Sequence, residues 1–144
     1  MKPPKALSLS LLLLATRRHR FREEWKEGAQ LAASYSVRKA GGLTVRIEQD
    51  GDSLLVRALG ELDIATADAL DEELRRVWYC DASPMILDLG KVDFIDSMGL
   101  RTLLAVAKHS RENGDRLRIR PPPAAVRRVI EVSGVERSLP LVER

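Results

Sequence analysis

The 144-residue sequence has few of the side chains that build metal sites and disulfides. Its single cysteine, Cys80, excludes an internal disulfide and any multi-cysteine metal site. The two histidines, His19 and His109, fall in segments of very different character, which gives little support to a histidine-based metal or triad site. Only 4% of the residues are aromatic, so the core must be built from leucine, valine, isoleucine and alanine. This cysteine usage suits a reducing cytoplasm, where we expect the protein to be located.

Motifs that bind nucleotides or activate a serine nucleophile are also missing. The patterns G-x-x-x-x-G-K-[ST], G-x-G-x-x-G and G-x-S-x-G do not occur. The sequence therefore offers no phosphate cradle for a nucleotide cofactor, and we expect no cofactor.

Positive charge is concentrated at the N-terminal end of the chain. Residues 1–42 hold 9 Lys/Arg and 3 Asp/Glu, a net charge of +6, whereas residues 43–144 hold 15 and 18, a net charge of −3. A nucleic-acid-binding domain concentrates positive charge on one face. The acidic balance of residues 43–144 therefore argues against direct binding of nucleic acid.

Residues 1–42 differ in character from the rest of the chain. An apolar stretch from Leu7 to Ala15 precedes a basic cluster between residues 17 and 22. The stretch is about half of the ~20 residues that span a bilayer, and the charge after it opposes export as a signal peptide. An amphipathic helix on a membrane surface and an over-extended start of the coding region stay open as alternatives. We expect an N-terminal extension, poorly ordered or partly helical over residues 21–33, that ends at Gly41-Gly42.

The periodicity of apolar residues predicts one domain over residues 43–144, with the order β-β-α-β-α-β-α. Predicted strands cover residues 43–48, 53–59, 85–89 and 116–120, and predicted helices cover 66–78, 97–112 and 124–133. Asp50-Gly51-Asp52 predicts a hairpin turn, and strand–helix alternation predicts a largely parallel sheet. Residues 90–96 are expected to form a loop, and residues 139–142 to dock as a short strand or helix. The residues expected on buried helix faces are Ala67, Leu70, Leu74, Val77, Trp78, Leu100, Leu103, Leu104, Ala107, Val126, Val129 and Ile130.

Three aspartates cluster around the end of the predicted strand 85–89. Asp88 lies in the strand, and Asp93 and Asp96 lie in the loop that follows it. Carboxylates placed together could hold a metal or act as acid and base. Alternatively, Asp88 points to a helix terminus or loop amide, and the other two are solvated or cap a helix. The absence of a matching base, nucleophile or phosphate cradle favours the second interpretation.

Ser97 stands at the first turn of the second predicted helix, directly after Asp96. Serine and aspartate are preferred N-cap residues, so capping alone would explain the serine. An exposed hydroxyl at a helix start is also accessible to a modifying enzyme. A phosphate there would meet unsatisfied backbone N–H groups and the positive end of the helix dipole. Its charge of about −1.5 to −2 would act on any surface that docks over the helix.

Two motifs resemble a known family. Gly60-Glu61-Leu62-Asp63 followed by Ala65-Thr66-Ala67 is similar to the "GELD…TA" segment of STAS domains. Ile86-Leu87-Asp88-Leu89 followed by Val92-Asp93-Phe94-Ile95-Asp96-Ser97-Met98-Gly99-Leu100 resembles the "DL…V.FIDSSGL" signature of bacterial anti-sigma factor antagonists. The resemblance covers about 100 residues. It implies an α/β fold: one STAS-like domain with a mixed, mostly parallel β-sheet and three to four α-helices, preceded by the extension.

The resemblance also implies a regulatory role without catalytic residues. An unphosphorylated antagonist binds an anti-sigma factor serine/threonine kinase and frees the sigma factor. Transcription from that sigma factor therefore depends on the phosphorylation state of the antagonist. The kinase then phosphorylates the serine at the position of Ser97, and a separate phosphatase resets the protein.

The family's partner surface implies contacts at five positions, Gly60, Asp63, Asp96, Met98 and Gly99. Met98 replaces the second serine of the family motif, which removes a hydroxyl and adds bulk beside Ser97. Two rival functions remain open: a structural STAS subunit of a stress-signalling or membrane lipid-transport complex, and a small metal-dependent enzyme that uses the three aspartates.

Overall fold

The computed structural model describes residues 36–80 and 83–143, and the predictions for residues 1–35 lie outside them. The strands are β1 (Ser36–Ala40), β2 (Leu43–Asp50), β3 (Ser53–Leu62), β4 (Met85–Ile95) and β5 (Leu117–Arg120). The helices are α1 (Ala67–Cys80), α2 (Ser97–Glu112) and α3 (Ala124–Val132), followed by a 3₁₀ turn over Glu136–Ser138. The predicted order of elements is confirmed, and one strand, β1, is added at its start.

The five strands form one mixed sheet in the order β1-β2-β3-β4-β5. β1, β2 and β3 pair antiparallel, whereas β3, β4 and β5 pair parallel. The parallel pairs are joined by α1 and α2, which pack against each other. The carboxyl ends of β3 and β4 therefore lie side by side, where Leu62 pairs with Ile95.

The core is aliphatic, as the shortage of aromatic residues predicts. Met85, Leu87 and Leu89 of β4 are fully buried between the neighbouring strands and the helices. Each such side chain stabilises the fold by about 1.5–3 kcal/mol relative to an exposed position. Within residues 36–80 and 83–143, no helix combines the length and apolar character needed to cross a bilayer.

The predicted buried face of α1 is confirmed, that of α2 is confirmed except at the partly buried Leu104, and the prediction for α3 is wrong at one position. Val126 and Ile130 are buried, whereas the Val129 side chain is 39% exposed. Residues four apart share a helix face, and Val129 is rotated about 100° from Ile130. Val129 therefore lies at the margin of the buried stripe.

Residues 36–40 belong to the sheet, although the sequence placed them in the extension. β1 pairs with β2 from Ser36–Ile47 to Ala40–Leu43, and Gly41-Gly42 is the turn between these two strands. The Arg38 guanidinium also donates a hydrogen bond to Glu72 of α1 at 2.9 Å. Val37 is 51% exposed, so β1 lacks the buried, alternating residues by which a strand is predicted.

β4 runs to Ile95, so the prediction of a loop over residues 90–96 is wrong. Its register with β3 shifts twice, between Arg57 and Leu59 and between Gly60 and Glu61. Such irregularities break the alternation of buried and exposed residues that marks a strand in the sequence. In this part of β4, two successive residues, Asp93 and Phe94, are exposed between the buried Val92 and Ile95.

The C-terminal segment docks against β5, in agreement with the sequence, through one isolated β-bridge and not as a full strand or helix. Leu141 forms a parallel bridge with Ile119. The Ile119 N–H donates to the Pro140 carbonyl, and the Val142 N–H donates to the Ile119 carbonyl, each at 2.9 Å.

Candidate functional site

The two sequence motifs meet at the carboxyl ends of β3 and β4. The β3–α1 loop carries Asp63, and the β4–α2 junction carries Asp96 and Ser97. The Asp96 N–H donates to the Leu62 carbonyl at 3.0 Å, which fixes the second segment against the first. In open α/β sheets, the carboxyl ends of the strands are where ligands and partners bind.

Asp96 is the N-cap of α2 and also a bridge to the neighbouring loop. One carboxylate oxygen, Oδ1, accepts hydrogen bonds from the N–H groups of Met98 and Gly99 at 2.9 and 3.0 Å. The other oxygen, Oδ2, accepts the N–H of Ile64 at 3.1 Å. Both oxygens of this half-buried side chain are therefore engaged with backbone.

Ser97 is the first residue of α2 and is exposed. Its hydroxyl has no hydrogen-bond partner among the residues that the structure describes. The capping role that the sequence left open for Ser97 belongs to Asp96. The expectation of free N–H groups for a phosphate is likewise wrong at Met98 and Gly99, since Asp96 already accepts both.

The β3–α1 loop is held by side-chain hydrogen bonds within residues 61–66. Asp63 Oδ1 accepts the N–H groups of Ala65 and Thr66 at 2.9 and 3.1 Å. The buried Thr66 hydroxyl accepts the Asp63 N–H at 3.0 Å and donates to the Glu61 carbonyl at 2.7 Å. Thr66 thus precedes α1, as predicted, but its hydroxyl stabilises the loop.

Gly60 and Gly99 are required by packing. Gly60 has φ +106°, and a Cβ there would overlap the Gly42 carbonyl oxygen. Gly99 is buried, and a Cβ there would lie 2.5 Å from the Leu62 carbonyl oxygen. Gly99 thus allows the close approach of α2 to the end of β3, whereas Gly60 allows that of β3 to the turn between β1 and β2.

An exposed apolar group near Ser97 was not identified from the sequence. Ile64 is 73% exposed and Phe94 is 49% exposed, and Met98 is half-buried. We call Ile64, Phe94, Ser97 and Met98 together the Ser97 surface. The signal that could have revealed it is Ile64 itself, a large apolar residue inside a loop of turn-forming and small residues.

The structure does not bring the three aspartates together as a metal site. Asp88 accepts the Gly90 N–H at 2.8 Å and lies 3.8 and 3.9 Å from the guanidinium groups of Arg57 and Arg120. Asp96 caps α2, and Asp93 is exposed. Among the described residues, no three His, Cys, Asp or Glu side chains are grouped so that they could hold a metal ion.

Comparison with known families identifies the domain. The family model described as "STAS domain" matches residues 44–144, most of the chain. The chain belongs to the STAS domain family. Its STAS domain contains both motif segments and the whole of the Ser97 surface.

Three proteins similar to this STAS domain are named as anti-sigma factor antagonists. BtrV of Bordetella bronchiseptica, named as an anti-sigma factor antagonist, is 37% identical over 84 residues, which are 58% of this chain and 72% of BtrV. The anti-sigma F factor antagonist of Paenibacillus polymyxa is 29% identical over 105 residues, 70% of this chain and 87% of that protein. The crystal structure of an anti-sigma factor antagonist from Mycobacterium paratuberculosis superposes with a TM-score of 0.60 at 29% identity, covering 71% and 86% of the two chains.

Proposed function

We propose that this STAS protein is an anti-sigma factor antagonist that acts by partner switching. In the unphosphorylated state it binds an anti-sigma factor serine/threonine kinase in the cytoplasm and so releases a sigma factor for transcription. Phosphorylation of Ser97 by that kinase dissociates the complex, and a phosphatase restores the binding form. The names of its relatives support the role. The protein acts through binding and has no catalytic residue of its own.

The proposal rests on the different roles of Asp96 and Ser97 at the start of α2. Asp96 supplies the N-cap of α2, so the exposed Ser97 hydroxyl bears no structural hydrogen bond among the described residues. A kinase can therefore modify Ser97 without removing a bond that holds the domain. The modification changes the charge of the surface and leaves the fold in place.

The local electrostatics support a switch by charge. The Asp96 carboxylate occupies the N–H groups of Met98 and Gly99, so they are not available to neutralise a phosphate on Ser97. Asp93 and Asp96 add two negative charges within four residues. A phosphate of about −1.5 to −2 would point outward beside them and oppose the docking of an acidic or apolar surface.

The Ser97 surface supplies the contact area for the partner. Ile64 and Phe94 are exposed apolar residues, the first hydrogen-bonded to Asp96 through its N–H and the second two positions before Asp96 in the chain, and Met98 adds a flexible apolar group. Among the family's contact positions, Asp63, Asp96 and Gly99 shape the backbone that presents these groups. We infer that the partner covers Ile64 and Phe94 with apolar side chains.

The test is phosphorylation by the cognate kinase in the presence of ATP, followed by intact-mass spectrometry. The wild-type protein should gain one phosphate and Ser97→Ala none. Ser133→Ala is the matched control, because Ser133 is exposed but lies at the end of α3, and it should gain one phosphate. Phosphate on Ser97→Ala would refute the site. Kinase binding unchanged by Ser97→Asp would refute the switch and favour a structural subunit.

A further inference from the structure

A cleft of about 330 Å³ lies at the end of the domain opposite Ser97. Residues 138–142 of the C-terminal segment form part of its wall. Three arginines and one aspartate complete it: Arg111, Arg118, Arg137 and Asp115. Arg111 is in the last turn of α2, whereas Ser97 is its first residue. At 1.5 Å per residue, the helix separates the two positions by about 20 Å. The cleft is therefore separate from the Ser97 surface.

The cleft is positively charged although residues 43–144 as a whole are acidic. Its three guanidinium groups face one carboxylate, a net charge of +2, whereas residues 43–144 have a net charge of −3. Such a concentration of cations is unfavourable by mutual repulsion unless anions are present. The charge pattern therefore points to an anionic ligand.

Structural roles account for two of the arginines but not for the third. Arg111 donates to the Ser138 carbonyl at 2.9 Å, and the C-terminal end of α2 also favours a cation. Arg118 donates to the Leu117 carbonyl at 2.7 Å and lies 3.4 Å from the Asp115 carboxylate. Arg137 is exposed on the 3₁₀ turn and has no hydrogen bond or ion pair to any residue that the structure describes.

We propose that this cleft binds a small soluble ligand that carries a phosphate group. Guanidinium groups form paired, charge-assisted hydrogen bonds with phosphate oxygens, and Arg137 has its donors available. The volume lies at the lower end of the ~300–1,000 Å³ typical of small-molecule sites. Leu139, Pro140 and Leu141 provide an apolar wall for the rest of the ligand. The proposal is independent of the function proposed for the Ser97 surface.

The experiment is calorimetric titration of the full chain with pyrophosphate at constant ionic strength. Saturable binding is expected, and Arg137→Gln should weaken it about tenfold, the effect of losing one charge-assisted contact. Arg128→Gln is the matched control, because Arg128 is exposed on α3 and does not line the cleft. It should bind pyrophosphate as the wild type does, and thermal melting should show both variants folded.

Three outcomes would overturn the proposal. They are no saturable binding by the wild type, equal affinity of Arg137→Gln and the wild type, and equal losses in both variants. A parallel co-sedimentation with vesicles of phosphatidic acid in phosphatidylcholine separates a lipid headgroup from a soluble ligand. If the protein bound these vesicles through Arg137 but did not bind pyrophosphate, the cleft would be a site for a lipid headgroup and the proposal of a soluble ligand would be wrong.

Discussion

Asp96 accepts a hydrogen bond from the Ile64 backbone N–H at 3.1 Å, although 32 residues separate the two in sequence. The same carboxylate caps α2 through Met98 and Gly99. One side chain thus fixes the β3–α1 loop relative to the helix that begins at Ser97. The exposed Ile64 side chain and the Ser97 hydroxyl are therefore held in one geometry before any partner binds, which lowers the entropy lost on binding.

Removing the Asp96 carboxylate should destabilise the domain. Asp96→Ala loses a helix cap, worth about 0.5–2 kcal/mol, and a further hydrogen bond, worth about 1 kcal/mol. We expect the free energy of unfolding, measured by urea denaturation, to fall by about 2 kcal/mol. Asp93→Ala removes an exposed carboxylate three residues away and should change it by less than about 0.5 kcal/mol. Equal stability of the two variants would contradict the bridging role.

A charge on the Ser97 surface should weaken partner binding without unfolding the domain. Ile64→Asp places a carboxylate where the partner is expected to bury an apolar side chain, so affinity for the cognate kinase should fall about tenfold or more. Val132→Asp is the matched control, because Val132 is 76% exposed on α3. Calorimetry should give it wild-type affinity, and both variants should melt close to the wild type. Equal losses of affinity would show that the contact surface lies elsewhere.

Gly60 should not tolerate a side chain. Its positive φ strains any L-residue by about 1–2 kcal/mol, and overlap of a Cβ with the Gly42 carbonyl adds about 1–3 kcal/mol. Gly60→Ala should therefore lower the free energy of unfolding by at least about 2 kcal/mol. Gly51 also has a positive φ but has open space around its Cα, so Gly51→Ala should cost only about 1 kcal/mol. Urea denaturation of both variants tests the packing explanation, because it predicts a larger loss in the free energy of unfolding for Gly60→Ala than for Gly51→Ala.

Negative charge at Ser97 should leave the fold nearly as stable as before. An aspartate in the first turn of α2 gains about 0.3–1 kcal/mol from the helix dipole, and repulsion by Asp96 offsets part of that gain. Arg101, one turn along the helix, offers a partial counter-charge. The melting temperature of Ser97→Asp should match that of Ser97→Ala within a few degrees. A large loss of stability would mean that phosphorylation acts by unfolding instead of by charge.

Regular amphipathic elements could be predicted from the sequence because their side chains report burial directly. The face of α1 from Ala67 to Trp78 is buried as expected, and in the short apolar run from Met85 to Leu89 the alternate residues Met85, Leu87 and Leu89 are buried. β1 and the second half of β4 could not be predicted by the same rule. β1 is stabilised by backbone pairing and by Arg38 with its exposed partner Glu72, and β4 loses its alternation at two register shifts.

The candidate site was predicted only in part, for a similar reason. Motif spacing indicated Ser97 and Asp96 but could not decide which residue caps α2, since both types are common caps. That choice depends on the backbone of Asp96, with φ −112° and ψ −174°, which directs its carboxylate to Met98 and Gly99. The bond to Ile64 joins segments 32 residues apart, and no local pattern encodes it.

The two edge strands of the sheet, β1 and β5, differ in how they resist self-association. The Ile119–Leu141 bridge closes the β5 margin with the chain's own backbone, so little of that strand is left to recruit another molecule. β1 has no further strand beside it in the described part of the chain, and it is short and carries Arg38 and Lys39. Like charges on two facing copies of β1 would repel each other, which disfavours growth of the sheet into fibrils and keeps the protein available to a partner.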